Sequence, residues 1–190
     1  MKTTRRTCLK IMATATGGLA SGVIGTQLVT RLPNRPIKPL KALTTAEAAV
    51  IEACAEQIIP ADQDPGARDA GVIFYIDKQL TRRFKKNLPT YQRAVVCLEQ
   101  MCQTLHKKSF LELDFATQTQ IMQALESNKV PAGTWKEVSA RDFFNLVRDH
   151  TMQGFYGSPR HGGNKDYASY RMLGLDYPRL MGQNRYKEVL

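Results

Sequence analysis

The chain has 190 residues, 43% hydrophobic and 23% charged, with 27 Lys plus Arg against 17 Asp plus Glu. That length suits one domain with a buried core; ordinary apolar content excludes a disordered chain, and four Cys are too few for a disulfide-built scaffold. The 13 Gly and nine Pro follow no period, which excludes a collagen-like fibre. The net charge of +10 is concentrated at the start: residues 1–41 contain Lys2, Arg5, Arg6, Lys10, Arg31, Arg35, Lys38 and Lys41 and no acid. Residues 42–190 keep 19 basic and 17 acidic side chains and are nearly neutral. Nucleic acid is therefore not expected as a partner, because that role needs basic residues spread over a folded face.

Residues 1–30 read as an export signal. A short basic segment ends in Thr4-Arg5-Arg6-Thr7-Cys8-Leu9-Lys10, and twenty uncharged residues follow, Ile11 to Thr30. That stretch is long enough to cross a bilayer, but Gly17, Gly18, Gly22 and Gly25 make it a poor helix. A weakly hydrophobic segment behind paired arginines resembles a bacterial twin-arginine signal. Cys8 stands where Phe is usual. Cleavage near Gly22 or Gly25 and retention as an anchor are both open. The twin-arginine route carries folded cargo, so the protein is expected in the periplasm or on the periplasmic face of the inner membrane.

Residues 31–43, with Pro33, Pro36 and Pro39, read as an extended linker, and 44–190 as one helical domain. Thr44-Thr45-Ala46-Glu47 is a capping-box start. Val50, Ile51, Cys54 and Ile58 follow at helical spacing until Pro60, and Asp62 to Gly66 is a turn cluster. The spacing of Val72, Ile76, Leu80 and Phe84 predicts a second helix from about Gly71 to Lys85. Pro89 opens a third, with Tyr91, Val95, Leu98, Met101, Cys102 and Leu105 in one stripe. Asp114 caps a fourth through Ile121, Met122 and Leu125; Ser139 opens a fifth with Phe143, Phe144, Leu146 and Val147. No segment alternates with period two. The fold class is mainly α, a small helical domain with a glycine-rich C-terminal loop region and extended termini.

That loop region begins after His150. Gly154, Gly157, Gly162 and Gly163 fall within ten positions, a density that opposes helix, so Gln153 to Asn164 reads as a shaped loop with Phe155 and Tyr156 available to pack. Tyr167, Tyr170, Met172, Leu173 and Leu175 then make a short apolar-aromatic segment.

Familiar chemistries find little support. No glycine pattern marks a dinucleotide fold, and without C-x-x-C-H there is no covalent c-type haem. Cys54, Cys97 and Cys102 read as buried thiols, although Cys54 could meet either of the others across a helix interface. His106, His150 and His161 lack ligand spacing; His150 reads as a cation at a helix end. Asp62, Asp64 and Asp69 are not followed by the Glu a calcium loop requires, since position 73 is Ile. Ser109 and Ser158 lack a nucleophile-elbow context. The backbone around His161-Gly162-Gly163-Asn164 could bind a partner closely, or Asn164 could cap the next segment.

Two stretches resemble the gluconate 2-dehydrogenase subunit 3 family: LTTAEAAVIEACAEQIIPADQDPGARDAG, residues 43–71, and FFNLVRDHTMQGFYGSPRHGGN, residues 143–164. The twin-arginine signal at Arg5 and Arg6 is also usual there. Where the family often has Gly-Trp after its H/Y-G-G-N element, this chain has Ser169-Tyr170. The resemblance implies a non-catalytic small subunit of a flavin-dependent sugar or sugar-acid dehydrogenase. It implies no cofactor, metal or catalytic residue in this chain. The flavin, FAD, belongs to a large partner of the glucose-methanol-choline oxidoreductase group, and haem c to a multihaem cytochrome partner. The small subunit would stabilise the flavoprotein and supply the signal read by the twin-arginine translocation machinery. Phe155, Tyr156, His161, Gly162, Gly163 and Asn164 match the family loop and are the expected docking residues. The alternatives are an export chaperone that releases its client and a small enzyme using the glycine-rich loop.

Overall fold

The structure, a computed structural model, describes residues 39–175. The chain divides into two units, Met1–Pro36 and Ile37–Leu190, and the described residues belong to the second. Arg5, Arg6 and the rest of the export signal lie outside them, as do the ends of the chain.

The body is mainly helical, as expected, and no strand occurs among the described residues. Its helices are α1 (Thr45–Ile58), α2 (Val72–Leu80), α3 (Leu88–His106), α4 (Phe115–Glu126), α5 (Ala140–Tyr156) and the short α6 (Ala168–Met172). Helix starts follow the local chemistry. Thr44 Oγ1 accepts from the Glu47 backbone N–H at 3.2 Å, while Glu47 Oε2 accepts from the Thr44 N–H at 2.8 Å, a closed capping box. Asp114 and Ser139 cap α4 and α5 by accepting from the Thr117 and Asp142 N–H groups. Pro89 lies in the first turn of α3, where its missing N–H costs nothing.

Helices α1 and α5 form the centre. Each packs on α2, α3 and α4, and α5 also carries α6. Ile51, Cys54 and Ala55 of α1 and Phe143, Val147 and Phe155 of α5 are wholly buried, together with Ile76, Leu80, Tyr91, Leu98 and Leu125. Apolar burial at about 25 cal/mol per Å² is the main stabilising term for such a bundle.

Several elements depart from the sequence expectation. Helix α2 stops at Leu80, not Lys85, because the N–H groups of Arg82 and Phe84 both turn back onto the Gln79 carbonyl. This reversal lays Phe84 flat against His150, with ring centroids 4.3 Å apart. Leu105 does not join the α3 stripe; it is 49% exposed in the last turn of that helix. Leu173 and Leu175 likewise lie outside the core. Residues 39–43, read as linker, belong to the folded body. Buried Asp77 of α2 accepts from the backbone N–H groups of Lys41 (2.8 Å), Ala42 (2.8 Å) and Leu43 (3.0 Å). Those bonds fix the approach of the chain to α1.

Candidate functional site

In the glycine-rich region backbone and rings approach closely, and the region starts inside a helix. Helix α5 runs on through Gln153, Gly154 and Phe155 to Tyr156, which corrects the reading of those residues as loop. A mid-helix glycine costs roughly 1 kcal/mol against alanine. Here it lets α2 approach: a Cβ on Gly154 would lie 3.1 Å from the Tyr75 ring. Tyr75 then donates its hydroxyl to Gln153 Oε1 at 2.8 Å.

From Gly157 the chain leaves α5 and folds back over the α2–α5 contact. A 3₁₀ turn at Pro159–His161 leads to Gly162, whose φ of 115° suits glycine. A Cβ there would also lie 2.9 Å from the Phe74 carbonyl oxygen. One on Gly163 would collide with the Gly154 carbonyl oxygen. Backbone therefore packs on backbone at both glycines. Asn164 locks the return: its Nδ2 donates to the Gly157 carbonyl at 2.9 Å, and its Oδ1 accepts from the Ser169 N–H at 2.9 Å. The Lys165 N–H donates to the Ala70 carbonyl, joining the loop to the start of α2.

The expected docking residues therefore divide. Phe155 is wholly buried, packed edge-on against Tyr156 at 4.9 Å between centroids. Gly163 and Asn164 are buried too, and Asn164 caps the following segment. Tyr156 and Gly162 are half-buried, and His161 is exposed. Tyr156 ends α5 partly packed on the core, and the exposed side chains between Gly157 and Asn164 are thus Arg160 and His161. Lys78 of α2 stands beside them, donating from Nζ to the Arg160 carbonyl at 2.7 Å. The partial burial of His161, then the Arg160 and Lys78 charges, lower its pKa.

Strongly perturbed groups lie in the interior. His150 is 3% exposed, and burial pushes its pKa down to about 4 against a weaker pull from Asp149. It is a neutral ring bonded to the Tyr91 hydroxyl at 3.0 Å and sits well before the end of α5. The reading of His150 as a helix-end cation is corrected. Burial also raises the Tyr91 hydroxyl and the Cys54 thiol, and moves Cys102 up to about 12. Cys54, Cys97 and Cys102 are free thiols. Ser109 caps the turn Phe110–Glu112 through Glu112. The acids around the turn after α1 have structural work: Glu56, near the end of α1, accepts from the Ala61 and Arg68 N–H groups, and Asp62 accepts from the Asp64 N–H. Among the described residues, no three His, Cys, Asp or Glu side chains form a group able to hold a metal ion. No helix there is long and apolar enough to cross a membrane.

Sequence reading missed Asp77, Tyr75 and Lys78. Asp77 carried a usable signal, since it falls on the apolar face set by Ile73, Ile76 and Leu80. An acid in that register needs buried donors. Tyr75 and Lys78 gave no such sign, because their partners lie about eighty residues away.

A family model described as Gluconate 2-dehydrogenase subunit 3 matches residues 45–176, a span that includes α1 to α6 and the whole glycine-rich loop. The chain belongs to that family. Neither the curated proteins nor the solved structures compared gave a match.

Proposed function

We propose that this chain is the non-catalytic small subunit of a periplasm-facing, FAD-dependent sugar or sugar-acid dehydrogenase complex. It stabilises the flavoprotein and carries the twin-arginine signal, Arg5 and Arg6, by which the pair is exported. A multihaem cytochrome c subunit takes the electrons onward. The family match over residues 45–176 carries this reading. Two observations agree with it. The most perturbed ionisable groups, Cys54, Tyr91, Cys102 and His150, lie inside the packed body. The polar atoms of Asn164 are used in holding the loop to itself, leaving the exposed Arg160 and His161 to meet a partner.

The test is purification of the chain, tagged at Leu190, from its native host in mild detergent, with a visible spectrum and a subunit gel. Flavin and haem absorption with a larger band is the expected result. A colourless, stable, solitary chain would overturn the subunit reading and favour an export chaperone that releases its client.

A further inference from the structure

The near-neutral body conceals an uneven charge pattern. Residues 44–71 contain six acids and one base, Arg68, which pairs with Glu52 at 3.3 Å. Residues 72–93 reverse this, with Lys78, Arg82, Arg83, Lys85, Lys86 and Arg93 against buried Asp77 alone. Arg82, Arg83, Lys85 and Lys86 are exposed, and all four follow the end of α2 within six positions. Lys78 of the last α2 turn ties Arg160 to the same corner. Among the described residues, none of Lys78, Arg82, Arg83, Lys85, Lys86 and Arg160 forms an ion pair, whereas Arg68, Arg93, Arg148 and Lys165 do. The corner is held in shape: Arg83 lies over the Phe84 ring, 5.7 Å from its centroid, and Phe84 stacks on His150.

We infer that this corner, Lys78, Arg82, Arg83, Lys85, Lys86 and Arg160, is the electrostatic part of the subunit interface and meets an acidic face of the large partner. The inference rests on the subunit reading above. Charge complementarity selects the partner's chemistry, since unpaired like charges held together favour an opposing field. The nearly neutral body selects a protein over a membrane or nucleic acid. Salt screens the corner beyond a Debye length of about 8 Å, so it acts on what docks directly against it. A local acidic patch on a folded partner fits that short reach. His161 is exposed on the turn that Lys78 reaches, and half-buried Tyr156 ends α5 just before that turn, so the cations border an aromatic and hydrogen-bonding surface. That is the arrangement of a protein interface with a polar edge.

The full-length tagged chain and an Arg82→Glu, Lys85→Glu, Lys86→Glu variant are purified from the native host. Arg83 is left in place because it packs on Phe84. The wild-type chain should retain the large partner, and retention should fall as salt rises from about 50 mM to about 500 mM. The variant should lose at least roughly tenfold of the partner while keeping its helical circular-dichroism signal and Tm. A triple Gln variant, which removes charge without reversing it, should lie between the two and guards against misfolding of the first. Full retention by both variants overturns the corner and leaves the subunit reading intact. A wild-type chain with no partner overturns both. Binding of the wild-type chain to phosphatidylglycerol vesicles, lost in the variants while the complex survives, assigns the corner to lipid and overturns the protein interface.

Discussion

His150 shows how one residue can couple this fold to pH. Its ring is enclosed by Phe84 and Tyr91, so protonation would put a cation where water cannot reach it. The folded pKa of about 4 lies below the ordinary value of 6.5. Between these values the unfolded chain binds a proton that the folded chain refuses, so stability falls as pH drops through that window. The full loss is about 3 kcal/mol, at 1.36 kcal/mol per pH unit. Urea unfolding followed from pH 7 to pH 4.5 should show a falling midpoint, and His150→Gln should flatten that slope. An unchanged slope in the variant would assign the acid sensitivity to other groups. Neighbouring Asp149 could be read from the sequence as a charge partner, but the ring's enclosure could not. Phe84 and Tyr91 reach it from residues 66 and 59 positions away, a distance that helical periodicity does not encode.

At the scale of elements, helix starts were legible and helix ends were not. Thr44 with Glu47, Asp114 and Ser139 declare their caps within four residues. The end of α2 depends on where Phe84 must go, and the end of α5 on whether Tyr75 can cover Gly154. Both answers come from another helix. The same holds for the join between the entering chain and α1, which α2 supplies through Asp77. Asp77→Ala would leave the Lys41, Ala42 and Leu43 N–H groups without their acceptor, the last of them in a buried site. At roughly 1 to 3 kcal/mol for each such group, partly relieved by water, a loss of about 3 kcal/mol is expected. Thermal unfolding measures it, and Asp77→Asn should recover part. Limited proteolysis between residues 39 and 43 should speed up in the alanine variant. No change in either measurement would mean that Leu43 packing alone holds this segment.

At the scale of the whole molecule, composition read the class correctly and hid the surface. Apolar periodicity was enough for a small helical body, because every long helix presents one face to a common core. Net charge averaged away both the acid-rich stretch and the basic corner. The glycine-rich motif was legible as something special, but the alternatives of docking loop and internal brace needed coordinates to separate residue by residue. Gly163 and Asn164 brace, while Arg160 and His161 face outward. For export, Arg5→Lys with Arg6→Lys should leave both this chain and its flavoprotein in the cytoplasm, measured by cell fractionation and partner activity in each compartment. A partner that still reaches the periplasm would remove the escort role.

The three thiols give the order of folding and transport a chemical meaning. Only the thiolate attacks a disulfide, and at neutral pH a group titrating at about 12, as Cys102 does, is ionised in roughly one molecule in 10⁵. Cys54 and Cys102 are also sealed from collision with any oxidant, each at 0% exposure. A chain delivered unfolded into an oxidising space would present Cys54, Cys97 and Cys102 together to disulfide catalysts and risk mispaired or intermolecular products. A chain that folds first arrives with Cys54 and Cys102 already closed to that chemistry.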